Sequence, residues 1–225
     1  MERLHLIFDA DDTLWEDNVF YERVVDAFVG WLEHPVFSRQ TIRDLIDADQ
    51  LQHAPSCGYG SAAFGRSLKR TYCRIAPARS ADLQVLDELL RTVMGAPRTL
   101  IPGVPETLER LSAKHDLLLL TKGDRAEQSL KIEQSGLAGL FRRILVVSEK
   151  NEPTLRALIA NEELDPVRTW VIGNSPRSDI APAMAVGLRA VYVHNTNTWQ
   201  AEALELAEDP RILRLPTVAS MVEHF

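Results

Sequence analysis

The chain has 225 residues, a formal net charge of −7 and a pI near 5.4. That length buries a real core and fits one large domain or a domain with a sizeable insert, while the acidic excess disfavours nucleic acid or an anionic membrane as a main partner. Two cysteines, Cys57 and Cys73, make neither a disulfide framework nor a metal-ligand pattern; with no membrane-length apolar run and no signal pattern, a cytoplasmic protein with reduced thiols is expected.

Residues 4–8 form the first short, nearly continuous apolar run, as expected of a strand buried on both faces. A long stretch without a convincing strand follows. Residues 19–33 carry Val24, Val25, Phe28 and Leu32 at helical spacing. Residues 39–51 read as a second helix, and 62–75 as a third after the turn Cys57-Gly58-Tyr59-Gly60. Residues 81–94 read as a fourth, with Ser80 as N-cap. The chain then returns through Ile101-Pro102-Gly103.

From there helices and strands alternate. Helices are expected over 105–114, 125–135, 153–161 and 178–186, with Gly136 and Gly187 closing the second and fourth. Strands are expected over 117–120, 144–147, 169–172 and 190–193, then a helix over 200–207 and a closing segment over 213–225. This alternation predicts an α/β fold, a doubly wound parallel sheet built from 1–14 and 98–225, with an inserted α-helical domain over 15–97.

Ligands in such sheets bind beyond the carboxyl ends of the strands. Those ends carry Asp9-Ala10-Asp11-Asp12-Thr13, Thr121-Lys122-Gly123-Asp124, Ser148-Glu149-Lys150 and Gly173-Asn174-Ser175-Pro176-Arg177-Ser178-Asp179. Taken singly, an acidic turn, a capping threonine or a surface lysine has an ordinary structural role. Polar residues converging on one edge from four strands point to chemistry. Asp9 has the reach to attack phosphorus and form an aspartyl-phosphate, and Asp11 to protonate the leaving oxygen and then activate water. Two carboxylates facing an anionic substrate call for a hard cation, Mg²⁺, held by Asp9 and Asp11 with Asn174 and Asp179 completing the shell. Thr121 offers a hydroxyl, and Lys122 and Gly123 offer backbone N–H groups opening a helix. Lys150 supplies the cation that holds substrate and offsets transition-state charge.

Together these residues resemble the haloacid dehalogenase (HAD) superfamily, over essentially the whole chain. Asp9-x-Asp11-x-Thr13 is similar to its first motif, the run ending in Thr121 to its second, Lys150 to its third, and 173–179 to its fourth. Pro102-Gly103-Val104, and Gln134-Ser135-Gly136-Leu137 with Phe141, are similar to its connecting segments. The resemblance implies a Rossmann-like core with a helical cap of the C1 type, Asp9 as nucleophile and Asp11 as acid/base. It implies Mg²⁺ bound by the Asp9 side chain, the Asp11 carbonyl and a fourth-motif acid. Asp12 stands where glycine is common, and Asn174 where aspartate is. Either Asp179 is then the principal fourth-motif ligand, or the site binds metal more weakly.

The leading expectation is Mg²⁺-dependent hydrolysis of a small phosphorylated metabolite by a monomer or homodimer. Alternatives are a 2-haloacid dehalogenase, against which Asp11 argues, a phosphomutase, and a non-enzymatic phosphoaspartate switch. Substrate choice is expected to lie in the insert, where Cys57, Tyr59 and the stripe Arg66, Lys69, Arg70 and Arg74 are candidates.

Overall fold

The computed structural model describes residues 2–77 and 80–225, without the side chains of Ser80 and Val93. The chain divides into two compact units, one of residues 1–17 and 98–225, the other Asn18–Pro97.

The first unit is a six-stranded, all-parallel sheet. Its strands are β1 (His5–Phe8), β2 (Asp116–Lys122), β3 (Arg143–Val147), β4 (Thr169–Gly173), β5 (Arg189–Val193) and β6 (Ile212–Leu215), in the order β3-β2-β1-β4-β5-β6. The strand order reverses at β1, which pairs with both β2 and β4. Leu6, Phe8, Leu117, Leu119 and Ile172 pack into one buried cluster. Ile7, Leu118, Leu120, Val171 and Ala190 pack into another. Successive strand residues point to opposite faces, so an unbroken apolar run serves two cores at once. Tertiary pairing lengthens β2 beyond its apolar run to Asp116 and Lys122.

The tail departs from expectation. In place of a helix over 200–207 there is only a 3-10 turn at Gln200–Glu202, and a sixth strand, β6, pairs parallel with β5. Burial of Leu215, Val218 and Met221 against the sheet outweighs local preference. The helix expected over 178–186 is a π-helical turn, Pro176–Ile180, followed by a short helix.

The second unit contains α1 (Asn18–Leu32), α2 (Arg39–Cys57), α3 (Ser61–Ile75) and α4 (Ser80–Met94) around Val24, Phe28, Ile42, Ile46, Phe64, Leu68 and Leu86, and the sheet unit goes on with α5 (Val104–Ser112), α6 (Arg125–Ser135) and α7 (Glu152–Asn161). Helix α2 runs past Leu51, through Pro55 in its last turn, and ends at Gly58, whose N–H bonds to Ala54 O at 2.9 Å. The Ser80 cap expected for α4 lies outside the described side chains. Residues 15–17, assigned to the insert from sequence, sit in the sheet unit: Trp15 is buried in its core and bridges Leu100. Three residues of the basic stripe have partners within the unit. Arg70 binds Asp49 at 2.9 Å, Lys69 pairs with Asp87 at 2.5 Å, and Arg66 reaches the Cys57 carbonyl at 3.2 Å. No helix among the described residues is long and apolar enough to cross a membrane.

At the end of β4 the backbone meets a side chain directly. A Cβ on Gly173 would lie 2.1 Å from Asp179 Oδ2, so only glycine fits. Gly173→Ala is expected to displace Asp179 and lower stability by roughly 1–3 kcal/mol, measured by urea denaturation, with activity lost disproportionately.

Candidate functional site

The sheet supplies the site through four strand ends and the turns behind them. After β1 the chain folds tightly: Leu14 N–H bonds to Ala10 O at 2.8 Å and Asp12 N–H to Trp15 O at 2.8 Å. Asp12 occupies the left-handed region (φ 60°), which aspartate tolerates better than most residues, and its carboxylate accepts from Asp17 N–H at 2.9 Å. This turn fixes Asp9, Asp11 and Thr13 around one point.

Lys150 lies between β3 and α7 (Glu152–Asn161), and only 5% of its surface is exposed. Its ammonium binds Asp9 Oδ1 and, at 2.8 Å, Asp179 Oδ1. Burial opposes its charge, but Asp179 and Asp9 outweigh burial and hold its proton more tightly than usual. One ammonium faces two buried carboxylates. Burial therefore pushes Asp9 up to about 7, against the pull of Lys150 and with Asp179 adding to the rise.

The other Asp9 oxygen faces a different set. Thr13 Oγ1 donates to Asp9 Oδ2 at 2.8 Å and accepts from Asn174 N–H at 3.1 Å. The amide head of Asn174 turns one atom toward Asp9 Oδ2 (3.2 Å), the Asp11 carbonyl (3.2 Å) and Thr13 Oγ1 (3.0 Å), and the other toward Thr198 Oγ1 (2.7 Å). With oxygen inward, Asp9 Oδ2, Asp11 O and Asn174 Oδ1 converge without a proton of their own, a donor set suited to a hard cation. With nitrogen inward, the amide donates to them instead. No group of three or more His, Cys, Asp or Glu side chains suited to a metal occurs among the described residues. Asp179 is not part of the converging donor set. Its Oδ1 meets Lys150 and its Oδ2 accepts from Ser175 N–H at 3.0 Å.

The Asp11 carboxylate points to α6 (Arg125–Ser135). It accepts from Trp15 Nε1 at 2.7 Å, Gln128 Nε2 at 2.8 Å and Lys131 Nζ at 3.1 Å. Burial would raise its pKa, but Lys131 and the hydrogen bonds from Gln128 and Trp15 hold it below the ordinary carboxylate range. Lys131 also pairs with Asp17 at 2.9 Å, and Asp17 with Arg98 at 2.5 Å.

Thr121, at the end of β2, accepts from Gln128 Nε2 at 2.7 Å. Of the two backbone N–H groups expected to form an anion site, that of Gly123 is engaged within the sheet. Gly123 N–H bonds to Val147 O at 3.1 Å, and α6 opens only at Arg125, its first N–H groups bonded to the Asp124 carboxylate. The Lys122 ammonium pairs with Glu202 at 2.5 Å and donates to Ser178 Oγ at 2.8 Å.

Sequence reasoning missed Thr13 as a direct partner of Asp9, and Gln128, Lys131, Thr198 and Glu202 entirely. Gln128 and Lys131 had a signal: they lie one turn apart on α6, on the face shared with buried Ile132. Thr198 and Glu202 follow β5 in an irregular segment with none.

The family model for haloacid dehalogenase-like hydrolases matches residues 5–187. The chain belongs to this family of hydrolases. This HAD-like hydrolase is similar in structure to a haloacid dehalogenase-like family hydrolase from Xanthomonas campestris, with 29% identity and TM-score 0.85 over 99% of this chain and 91% of that one. It shares its fold with the HAD-hydrolase YfnB from Bacillus subtilis bound to magnesium (17% identity, TM-score 0.69, 100% and 99% covered). It also shares it with a 2-haloacid dehalogenase from Pseudomonas syringae (20%, 0.65, 99% and 97%). No curated protein matches the sequence.

The Asp9 shift has a measurable sign. A carboxyl at about 7 when folded and near 4 when unfolded contributes stability below about pH 4, and loses it as pH rises to about 7. In EDTA, Asp9→Asn is therefore expected to gain in melting temperature relative to the unsubstituted protein as pH rises from 4.5 to 7, with no further gain above. A difference independent of pH would contradict the raised value.

Proposed function

We propose that this HAD-like hydrolase cleaves small phosphate monoesters through an aspartyl-phosphate, with Mg²⁺ as its resident cation. The observation that carries this reading is the meeting of Asp9 Oδ2, the Asp11 carbonyl and the Asn174 amide head within 3.2 Å. A second carboxylate, Asp11, beside this cluster supports it, because an ester oxygen needs a proton to leave and a halide does not. In this reading the helical unit is a C1-type cap.

Asp9 attacks phosphorus, the ester P–O bond breaks, and the departing oxygen takes a proton from Asp11. Water then gives its proton to Asp11 and attacks phosphorus, the Asp9–phosphorus bond breaks, and phosphate leaves. Lys150 favours the ionised form of Asp9 and fixes its direction. Asp11 rests ionised among its three donors; a phosphate dianion arriving beside it raises its proton affinity, and Asp11 takes up from solvent the proton it then gives to the leaving oxygen. Asp9, the Asp11 carbonyl and Asn174 would hold Mg²⁺, which would supply neutralisation of the phosphoryl charge. Asp179 serves instead as the second anchor of Lys150.

One observation favours a second reading. With its nitrogen inward, Asn174 donates to Asp9 and to the Asp11 carbonyl while its oxygen accepts from Thr198 at 2.7 Å. That site is satisfied with no cation, as hydrolysis of a 2-haloacid would require.

A panel of phosphorylated metabolites and 2-chloropropionate, each assayed with Mg²⁺ and with EDTA, separates the two. The expected result is phosphate release that EDTA abolishes and that Asp9→Asn reduces by about 10³-fold or more. Halide release undiminished by EDTA would overturn the phosphatase reading.

A further inference from the structure

Gln128 is 2% exposed and touches two elements of the site at once. Its amide nitrogen lies 2.8 Å from Asp11 Oδ2, 2.7 Å from Thr121 Oγ1 and 3.0 Å from the Lys122 carbonyl. Its amide oxygen is buried with no hydrogen-bond partner. An unpaired buried acceptor is a cost that a leucine of similar volume would avoid. The side chain therefore contributes through its two N–H protons, shared among Asp11, Thr121 and the Lys122 carbonyl.

The direction of the bond to Thr121 matters. An amide nitrogen only donates, so the Thr121 hydroxyl must accept. A hydroxyl has one proton, and that proton is then free to be donated elsewhere. The same amide holds Asp11 Oδ2 in place beside Trp15 and Lys131.

Building on the phosphatase reading, we propose that Gln128 is a positioning residue that presets Thr121 as a hydrogen-bond donor to a phosphoryl oxygen and orients the Asp11 carboxylate. It makes no contact with substrate itself. Its two effects are separable: Thr121 governs binding of the anion, and Asp11 governs the proton transfers.

Two variants test this in the full-length protein with Mg²⁺. Gln128→Leu removes both donors and the unpaired oxygen. Gln128→Glu keeps the shape but presents only acceptors, so it turns the Thr121 proton inward and sets a like charge against Asp11. For Gln128→Leu, KM and the inhibition constant of inorganic phosphate are expected to rise and kcat to fall, a combined loss of roughly 10–100-fold in kcat/KM. Gln128→Glu is expected to lose at least as much. In a Thr121→Val background the KM component of either substitution is expected to vanish. Wild-type kinetics in both variants, a milder Gln128→Glu than Gln128→Leu, or a KM effect undiminished by Thr121→Val would overturn the assignment. If Gln128→Leu does not fold, Gln128→Glu with and without Thr121→Val carries the same test. The unsubstituted protein run in parallel separates the two levels. Its failure to release phosphate removes the parent reading, whereas an active parent with unaffected variants removes only the role of Gln128.

Discussion

One buried ammonium organises this site. Lys150 joins Asp9, at the end of β1, to Asp179, in the π-helical turn after β4. Neither carboxylate has the solvent to be comfortable alone, and a single cation cannot neutralise both. Removing the lysine would leave two buried anions facing each other, a loss of about 3–5 kcal/mol for a pair of this kind. The close fit of Gly173 against Asp179 belongs to the same constraint, because the second carboxylate has to reach the ammonium over the backbone of β4. Burial, with Asp179 adding to it against the pull of Lys150, also keeps Asp9 near the point of protonation. A cation arriving on its other oxygen would complete the neutralisation that Lys150 begins.

A second set of charges is arranged around Asp11. Lys131 binds Asp11 and Asp17, and Arg98 binds Asp17. Asp17 and Arg98 are the last residue before the helical unit and the first after it. Positive charge from α6 and from the returning chain thus balances the acidic turn after β1. The acidity of the whole chain says nothing of this local arrangement, because the field in a low-dielectric site is set by its nearest charges.

How much of this was legible depends on the kind of signal. The strands and most helices are readable because burial on both faces leaves unbroken apolar runs, and because glycines such as Gly136 mark helix ends. Asp9, Asp11, Thr121, Lys150, Asn174 and Asp179 are readable as candidates because each follows a buried strand. Their pairing is not. Lys150 and Asp179 lie apart in sequence, and nothing local says that Asp179 serves the lysine while Asn174 faces Asp9. Gly123 misleads for a related reason. Its N–H bonds to Val147 O within the sheet, and the helix itself opens only at Arg125, where Asp124 caps Ala126 and Glu127. Strand β6 has a weak signal of its own and forms because β5 offers an edge.

By itself, the sequence determined the fold class, the α-helical insertion and the candidate residues, since local periodicity and strand-end chemistry are properties of neighbours along the chain. Only the tertiary structure decided the partners: Lys150 between Asp9 and Asp179, Asn174 against Asp9 and the Asp11 carbonyl, and Gln128 across Asp11 and Thr121. Hydrogen bonds and ion pairs depend on distances of a few ångströms between groups far apart in the chain. Those distances exist only once the strands have taken their order, with β1 at the point where that order reverses.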